Sequence, residues 1–173
     1  TPYNTIFGEA GENSKESVFE IQGTAREAIT QANGIQYASI QGTRGNTTEW
    51  NRGWGWNSPS NVLEAAYEPG DPRKARTILY SSTATTTNTT VYGQATPLYP
   101  SIVPNLKYNH KVLASPTYIA MYGNRGGWGM NVRILRYADV VLMYAEAANE
   151  LGGATNTTNA LAALNSVRAR ARA

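Results

Sequence analysis

The sequence predicts a mainly α protein with long irregular loops and a few short strands. Three observations carry this expectation: apolar residues recur at helical spacing from about Arg133 to Arg172, Gly (16) with abundant Thr and Asn marks long loops before that, and the β-branched or aromatic runs are short. A chain of 173 residues with 41% apolar content is expected to form one domain. The organisation expected is a single partial domain over 1–173, with a loop-rich region at 1–130 and a helical hairpin at 131–173.

The first legible element is Ser17-Val18-Phe19-Glu20-Ile21, whose β-branched and aromatic content predicts a strand after the turn-prone stretch from Gly11 to Lys15. From Thr24 to Asn51 no clear period emerges, and one short strand is expected around Ile35–Ile40. Ser58-Pro59-Ser60 supplies a helix cap and a proline at the first helical position, so a short helix is predicted near 59–67, with Val62, Leu63, Ala66 and Tyr67 on one face and Pro69-Gly70 ending it. Asp71-Pro72-Arg73 is expected to form a turn with an ion pair, followed by a strand at Thr77–Tyr80. Ser81 to Thr90 is low in complexity and is expected to be an exposed loop. Gly93 to Pro116 holds four of the eight prolines and is expected to stay irregular, with a strand at Tyr118 to Tyr122.

The last segment is the clearest. Ile134, Leu135, Ala138, Val141, Leu142, Ala145, Ala148 and Leu151 follow helical spacing until Gly152-Gly153 stops them. Thr157, Thr158 or Asn159 is expected to cap a second helix striped by Leu161, Leu164, Val167 and Ala171. The short linker makes the two helices antiparallel neighbours, and Ala at 145, 147, 148, 160, 162 and 163 allows close approach. Arg168, Arg170 and Arg172 read as a solvated helix end that complements the helix dipole.

Composition narrows the function. Fifteen Lys and Arg against twelve Asp and Glu give +3, with three of the cations in the last six residues, so no basic patch suited to nucleic acid is expected. Without cysteine there is no disulfide, no thiolate nucleophile and no sulfur-ligated metal. The single histidine, His110, leaves little material for a catalytic triad or a zinc site. Glu12 with Glu16, Glu20 or Glu49 offers carboxylate pairs for glycoside hydrolysis, but nothing in their spacing marks them. The Gly-rich loops lack the Lys-Ser/Thr pair and strand-to-helix setting of a phosphate loop. Neither a catalytic residue, a metal site nor a cofactor is therefore expected. The chain begins at Thr1 without a signal segment and stops at Ala173 without a helix terminator, which suggests a partial chain.

Three stretches, Glu12 to Ile21, Pro59 to Tyr67 with Asp71-Pro72-Arg73, and Arg136 to Ala147, resemble in order and spacing the SusD/RagB family of outer-membrane nutrient-binding lipoproteins of Bacteroidetes. The resemblance spans nearly the whole chain and corresponds to a middle-to-late part of the family's longer protein. It implies a SusD-like fold in which tetratricopeptide-like helical hairpins support irregular loops that hold the ligand, here the loop-rich 1–130. It further implies non-catalytic binding of extracellular oligosaccharide or polysaccharide, delivery to a SusC-like TonB-dependent transporter, and a place on the outer face of the outer membrane. The lipidated cysteine and the earlier helical repeats are not in this sequence, so a lipid anchor, and with it any membrane contact, is implied by the family alone. A protein-interaction scaffold, or a peptide-binding member of the same family, is the alternative.

Sugar rings present a C–H face that stacks on an aromatic plane, while their hydroxyls bond to polar side chains at its rim. Trp50, Trp54 and Trp56, with Asn51, Arg52 and Asn57, supply both kinds of group within a few residues and form the main ligand-binding candidate. The competing reading is that one or more of these rings caps the core beside the following helix. Trp128, in the Gly-rich loop Gly123 to Gly129, repeats the chemistry but leads straight into the scaffold helix and is open to a purely structural reading. Tyr37 lies near where the family can place a further ligand aromatic, or serves packing.

Overall fold

The computed structural model describes residues 2–23, 36–88, 90–122 and 129–172. The chain divides into two compact units, one made of Thr1–Ile21 with Val132–Ala173 and the other of Gln22–Asn131.

In the first unit, strand β1 (Ser17–Ile21) pairs antiparallel with β4 (Val132–Arg136), and irregularities in register flank Phe19. The sequence-based helix boundary needs correction here. Ile134 and Leu135 belong to the strand, and the helix begins at Tyr137. Glu20 lies opposite Arg133, and the two form an ion pair at 3.3 Å with both side chains nearly buried. Helix α5 (Tyr137–Leu151) starts where the Asp139 carboxylate accepts the Arg136 backbone N–H at 3.0 Å and grips the Arg136 guanidinium at 3.0 and 2.7 Å. It ends at Gly152 and Gly153, both with left-handed backbone.

Helix α6 (Ala154–Arg172) follows at once, so Thr157, Thr158 and Asn159 lie inside it rather than capping it. The two helices are joined by two residues and bury Ala145, Ala148, Ala160 and Ala171. Of the apolar stripe of α6, Leu161 and Leu164 are exposed and Ala171 is buried. Arg170 is not a solvated helix-end cation, because it pairs with the buried Glu16. Glu16 also accepts the Ala138 N–H at 3.1 Å, and its backbone carbonyl accepts the Tyr137 N–H at 2.7 Å, so one residue fastens the chain before β1 to both helices. No helix among the described residues is long and apolar enough to cross a membrane.

In the second unit, the strand expected around Ile35–Ile40 gives way to helix α1 (Gln36–Gln41), with Ala38, Ser39 and Gln41 buried, while Ile35 lies outside the described residues. Helix α2 (Asn61–Ala65) has Ser60 as its cap, the hydroxyl oxygen accepting the Leu63 N–H at 3.1 Å. Asp71-Pro72-Arg73 begins helix α3 (Pro72–Thr77) rather than forming a free-standing turn: Asp71 caps it and holds the Arg73 guanidinium. Strand β2 (Ile78–Tyr80) pairs antiparallel with β3 (Lys107–Asn109), which lies in a stretch expected to be irregular. Tyr118–Tyr122, expected as a strand, falls in helix α4 (Pro116–Tyr122).

Trp50, Leu79, Val103, Tyr108 and Leu113 form one core cluster, and Ala38, Val112, Ala114 and Met130 another. The Ser81–Thr90 stretch is not wholly exposed: Ser81 and Ser82 are buried, and Ser82 meets the Thr96 hydroxyl at 2.8 Å. Burial of the His110 ring, whose Nδ1 bonds to the Ala75 carbonyl at 2.8 Å, pulls its pKa below the usual histidine value.

Glu64 ties α2 to the β2–β3 pair. Its carboxylate accepts from Lys107 and from the Tyr80 hydroxyl at 2.6 Å, with Lys74 at 3.4 Å, and the Lys107 and Tyr80 bonds bring its pKa from 4.5 to about 2. A carboxylate depressed in the folded state adds stability above its unfolded pKa, which is lost as pH falls through the folded value. Urea unfolding should therefore show stability declining from about pH 4.5 to about pH 2. The decline should be shallower in Glu64→Gln.

Candidate functional site

The Gly-Trp segment is built against the C-terminus of α1. The last carbonyls of a helix have no partner within it. Here the backbone N–H groups of Trp54, Gly55 and Trp56 fill that need, donating to the carbonyls of Ser39 (2.8 Å), Gly42 (2.8 Å) and Ile40 (2.9 Å). The crossing is close enough to require glycine on both chains. A Cβ on Gly53 would sit 2.3 Å from the Ser39 oxygen, and one on Gly42 would sit 2.4 Å from the Arg52 oxygen.

The candidate residues then separate by depth. Trp50 is 5% exposed and Arg52 is fully buried, so neither side chain is available to a ligand; both are corrected to structural roles. The Arg52 guanidinium donates to the carbonyls of Glu49 (2.6 Å) and Ala114 (3.0 Å) and to Gln94 Oε1, and its carbon lies 4.4 Å from the centre of the Trp50 ring. Asn51 is half-buried and bridges to Arg44. Trp54 is half-buried, whereas Trp56 is 65% exposed on the clamped backbone just described. Trp128 lies outside the described residues, as does the loop 123–128 that holds it.

Asn57 and Tyr37 are exposed and are linked through Gln41, a residue the sequence did not single out. The buried Gln41 Oε1 accepts from Asn57 Nδ2 at 2.7 Å and Asn109 Nδ2 at 2.8 Å, while its Nε2 donates to the Tyr37 carbonyl at 2.9 Å. Nothing local in the sequence announces Gln41 or Asn109, because they meet only through the fold. Exposed aromatic faces and amides held by a satisfied polar network form a surface suited to stacking a flat apolar ring face and bonding its rim. Among the described residues no three His, Asp or Glu side chains gather to hold a metal ion.

The helical hairpin of the first unit and the short strands and irregular loops of the second together define the class of fold. The profile of the SusD family matches residues 15–173, and the chain belongs to that family. Among solved structures, it resembles surface glycan-binding protein A from Bacteroides thetaiotaomicron in complex with laminarihexaose (21% identity, TM-score 0.69, covering 98% of this chain and 38% of that one). It also resembles surface glycan-binding protein A from Bacteroides fluxus (22% identity, TM-score 0.70, 99% and 36%) and a laminarin-binding SusD-like protein (23% identity, TM-score 0.70, 98% and 38%). The chain thus spans less than two fifths of the length of these structures, and at such identities the likeness is one of fold. No curated protein matches the sequence.

Proposed function

We propose that this chain is part of a protein that binds extracellular oligosaccharide without breaking a bond, and hands it to a SusC-like TonB-dependent transporter at the outer membrane. Membership of the SusD family supports the class, and similarity in fold to a protein solved with laminarihexaose supports a glycan as ligand. The observation that carries the reading to this chain is Trp56, a large ring left 65% exposed on a backbone fixed to α1. An exposed ring on a rigid mount loses little conformational freedom when a sugar stacks on it, so most of the contact energy survives as affinity. Trp54, Tyr37 and Asn57 complete the surface, the amide supplying hydrogen bonds to hydroxyls. Family membership is what supports delivery to the transporter and a lipid anchor at the outer cell surface.

Calorimetry against a polysaccharide panel tests this. Trp56→Ala is expected to weaken the bound glycan by about 10- to 100-fold, the loss of one central aromatic contact. Unchanged affinity would remove the site assignment, and release of reducing sugar would remove the non-catalytic assignment.

A further inference from the structure

A groove of about 340 Å3 is lined by Arg44, Gly45, Asn46 and residues 100–104, and Arg44 also lies against Gly55 of the Trp54–Trp56 segment. Gly55, the residue between the two tryptophans, packs against Arg44. Gly55 has a left-handed backbone (φ 74°), and a Cβ there would come 3.1 Å from the Arg44 Cβ and 3.1 Å from Asn105 Nδ2. Asn105 Nδ2 donates to the Gly55 carbonyl at 2.8 Å and to the Ser58 hydroxyl at 3.1 Å, which holds the far side of the segment in place. The opposite wall is fastened by Asn46, whose backbone N–H donates to the Ile102 carbonyl at 3.0 Å and whose Nδ2 donates to the Ser101 carbonyl at 2.8 Å.

Within this braced wall Arg44 stands out. It is exposed, and among the described residues its guanidinium makes no hydrogen bond or ion pair. Arg73, Lys74, Lys107, Arg133, Arg136 and Arg170, by contrast, are all engaged with carboxylates. Among the described residues no acidic residue and no second cation lines the groove. A strong anion site gathers several positive groups or backbone N–H donors. One guanidinium beside the apolar rings of Pro100 and Pro104 instead suits a neutral ligand with both hydroxyls and C–H faces.

We propose that this groove is an additional glycan subsite, in which Arg44 donates a forked pair of hydrogen bonds to two hydroxyl oxygens of a sugar unit adjoining the one stacked on Trp56. The inference rests on the glycan-binding reading above and adds a residue that sets specificity. Arg44 makes the site longer than one ring, so affinity depends on oligosaccharide length.

The test is calorimetry of the full chain with laminarihexaose, maltohexaose and cellohexaose, comparing wild type, Arg44→Ala, Arg44→Lys and Trp56→Ala, with circular dichroism to show that each is folded. For whichever hexasaccharide the wild type binds, Arg44→Ala is expected to weaken affinity about tenfold. Arg44→Lys should recover less than about threefold of this, because an ammonium cannot reproduce a planar fork. Equal affinity of Arg44→Ala and wild type, with Trp56→Ala still impaired, would overturn the subsite and leave the glycan reading standing. Full recovery by Arg44→Lys would overturn the forked contact. Trp56→Ala binding like wild type would remove the Trp56 site assignment and the subsite argued from it, and no hexasaccharide binding at all would overturn the glycan reading and the subsite with it.

Discussion

Arg52→Ala is expected to destabilise the protein by about 3–5 kcal/mol, seen as a lower urea midpoint with an unchanged slope. A buried guanidinium is tolerated only when its donors and its charge are met. Here the carbonyls of Glu49 and Ala114, Gln94 Oε1 and the Trp50 ring meet them, and Tyr92 adds a second ring at 5.9 Å. Removing the side chain strands three acceptors, at about 1–3 kcal/mol for each one that stays dry, and opens a cavity against Trp50. Arg52→Lys should recover little, since a single ammonium cannot reach acceptors arranged around a planar fork. A variant as stable as wild type would show that Arg52 is dispensable to the loop.

Glu16→Ala should have a comparable effect in the other unit, about 3–5 kcal/mol, because it leaves Arg170 without its carboxylate and the Ala138 N–H without its acceptor. Glu16→Gln should fall between, keeping an acceptor for Ala138 while losing the charge that meets Arg170. Arg170→Met supplies the second arm of a double-mutant cycle, and a coupling of about 1–3 kcal/mol is expected between the two positions. Additive effects would show that the pair contributes nothing beyond its separate contacts.

Glu16 also explains why the resemblance was readable. The polar identities around β1 and α5 are fixed by pairing: Glu20 faces Arg133 across the strands, Asp139 grips Arg136 at the helix start, and Glu16 reaches both helices. The hairpin itself was legible because two glycines interrupt a long helical period. The start of α5 was not, because β4 runs directly into the helix and Ile134 and Leu135 fit either period.

In the unit Gln22–Asn131 the local signals misled. The last carbonyls of helix α1 are satisfied by Trp54, Gly55 and Trp56, later in the chain, a pairing no local pattern displays, so the β-branched Ile35 and Ile40 suggested a strand. Tyr118 to Tyr122 misled through the same residue types, although Pro116 sits at a helix start. The Trp-rich segment was recognisable as special from composition. What composition could not give was depth: Trp50 and Arg52 turn into the core while Trp56 turns out, a sorting made by contacts to Ala114, Gln94 and α1. Arg44 escaped notice because an arginine in a Gly-rich loop is unremarkable until its neighbours are seen.

The second unit begins and ends at nearly the same point. Asn131 Oδ1 accepts the Gly23 N–H at 2.7 Å and its Nδ2 reaches Gln22 Oε1 at 3.1 Å, just beyond the ladder where Ile21 faces Val132. A segment whose two ends are stapled together places little constraint on what lies between them, since closure cost grows only with the logarithm of length. A chimaera cut at Ile21 and Val132 is therefore expected to keep the β1–β4 ladder and the helical hairpin while the 22–131 insert is exchanged, which urea unfolding and circular dichroism would check.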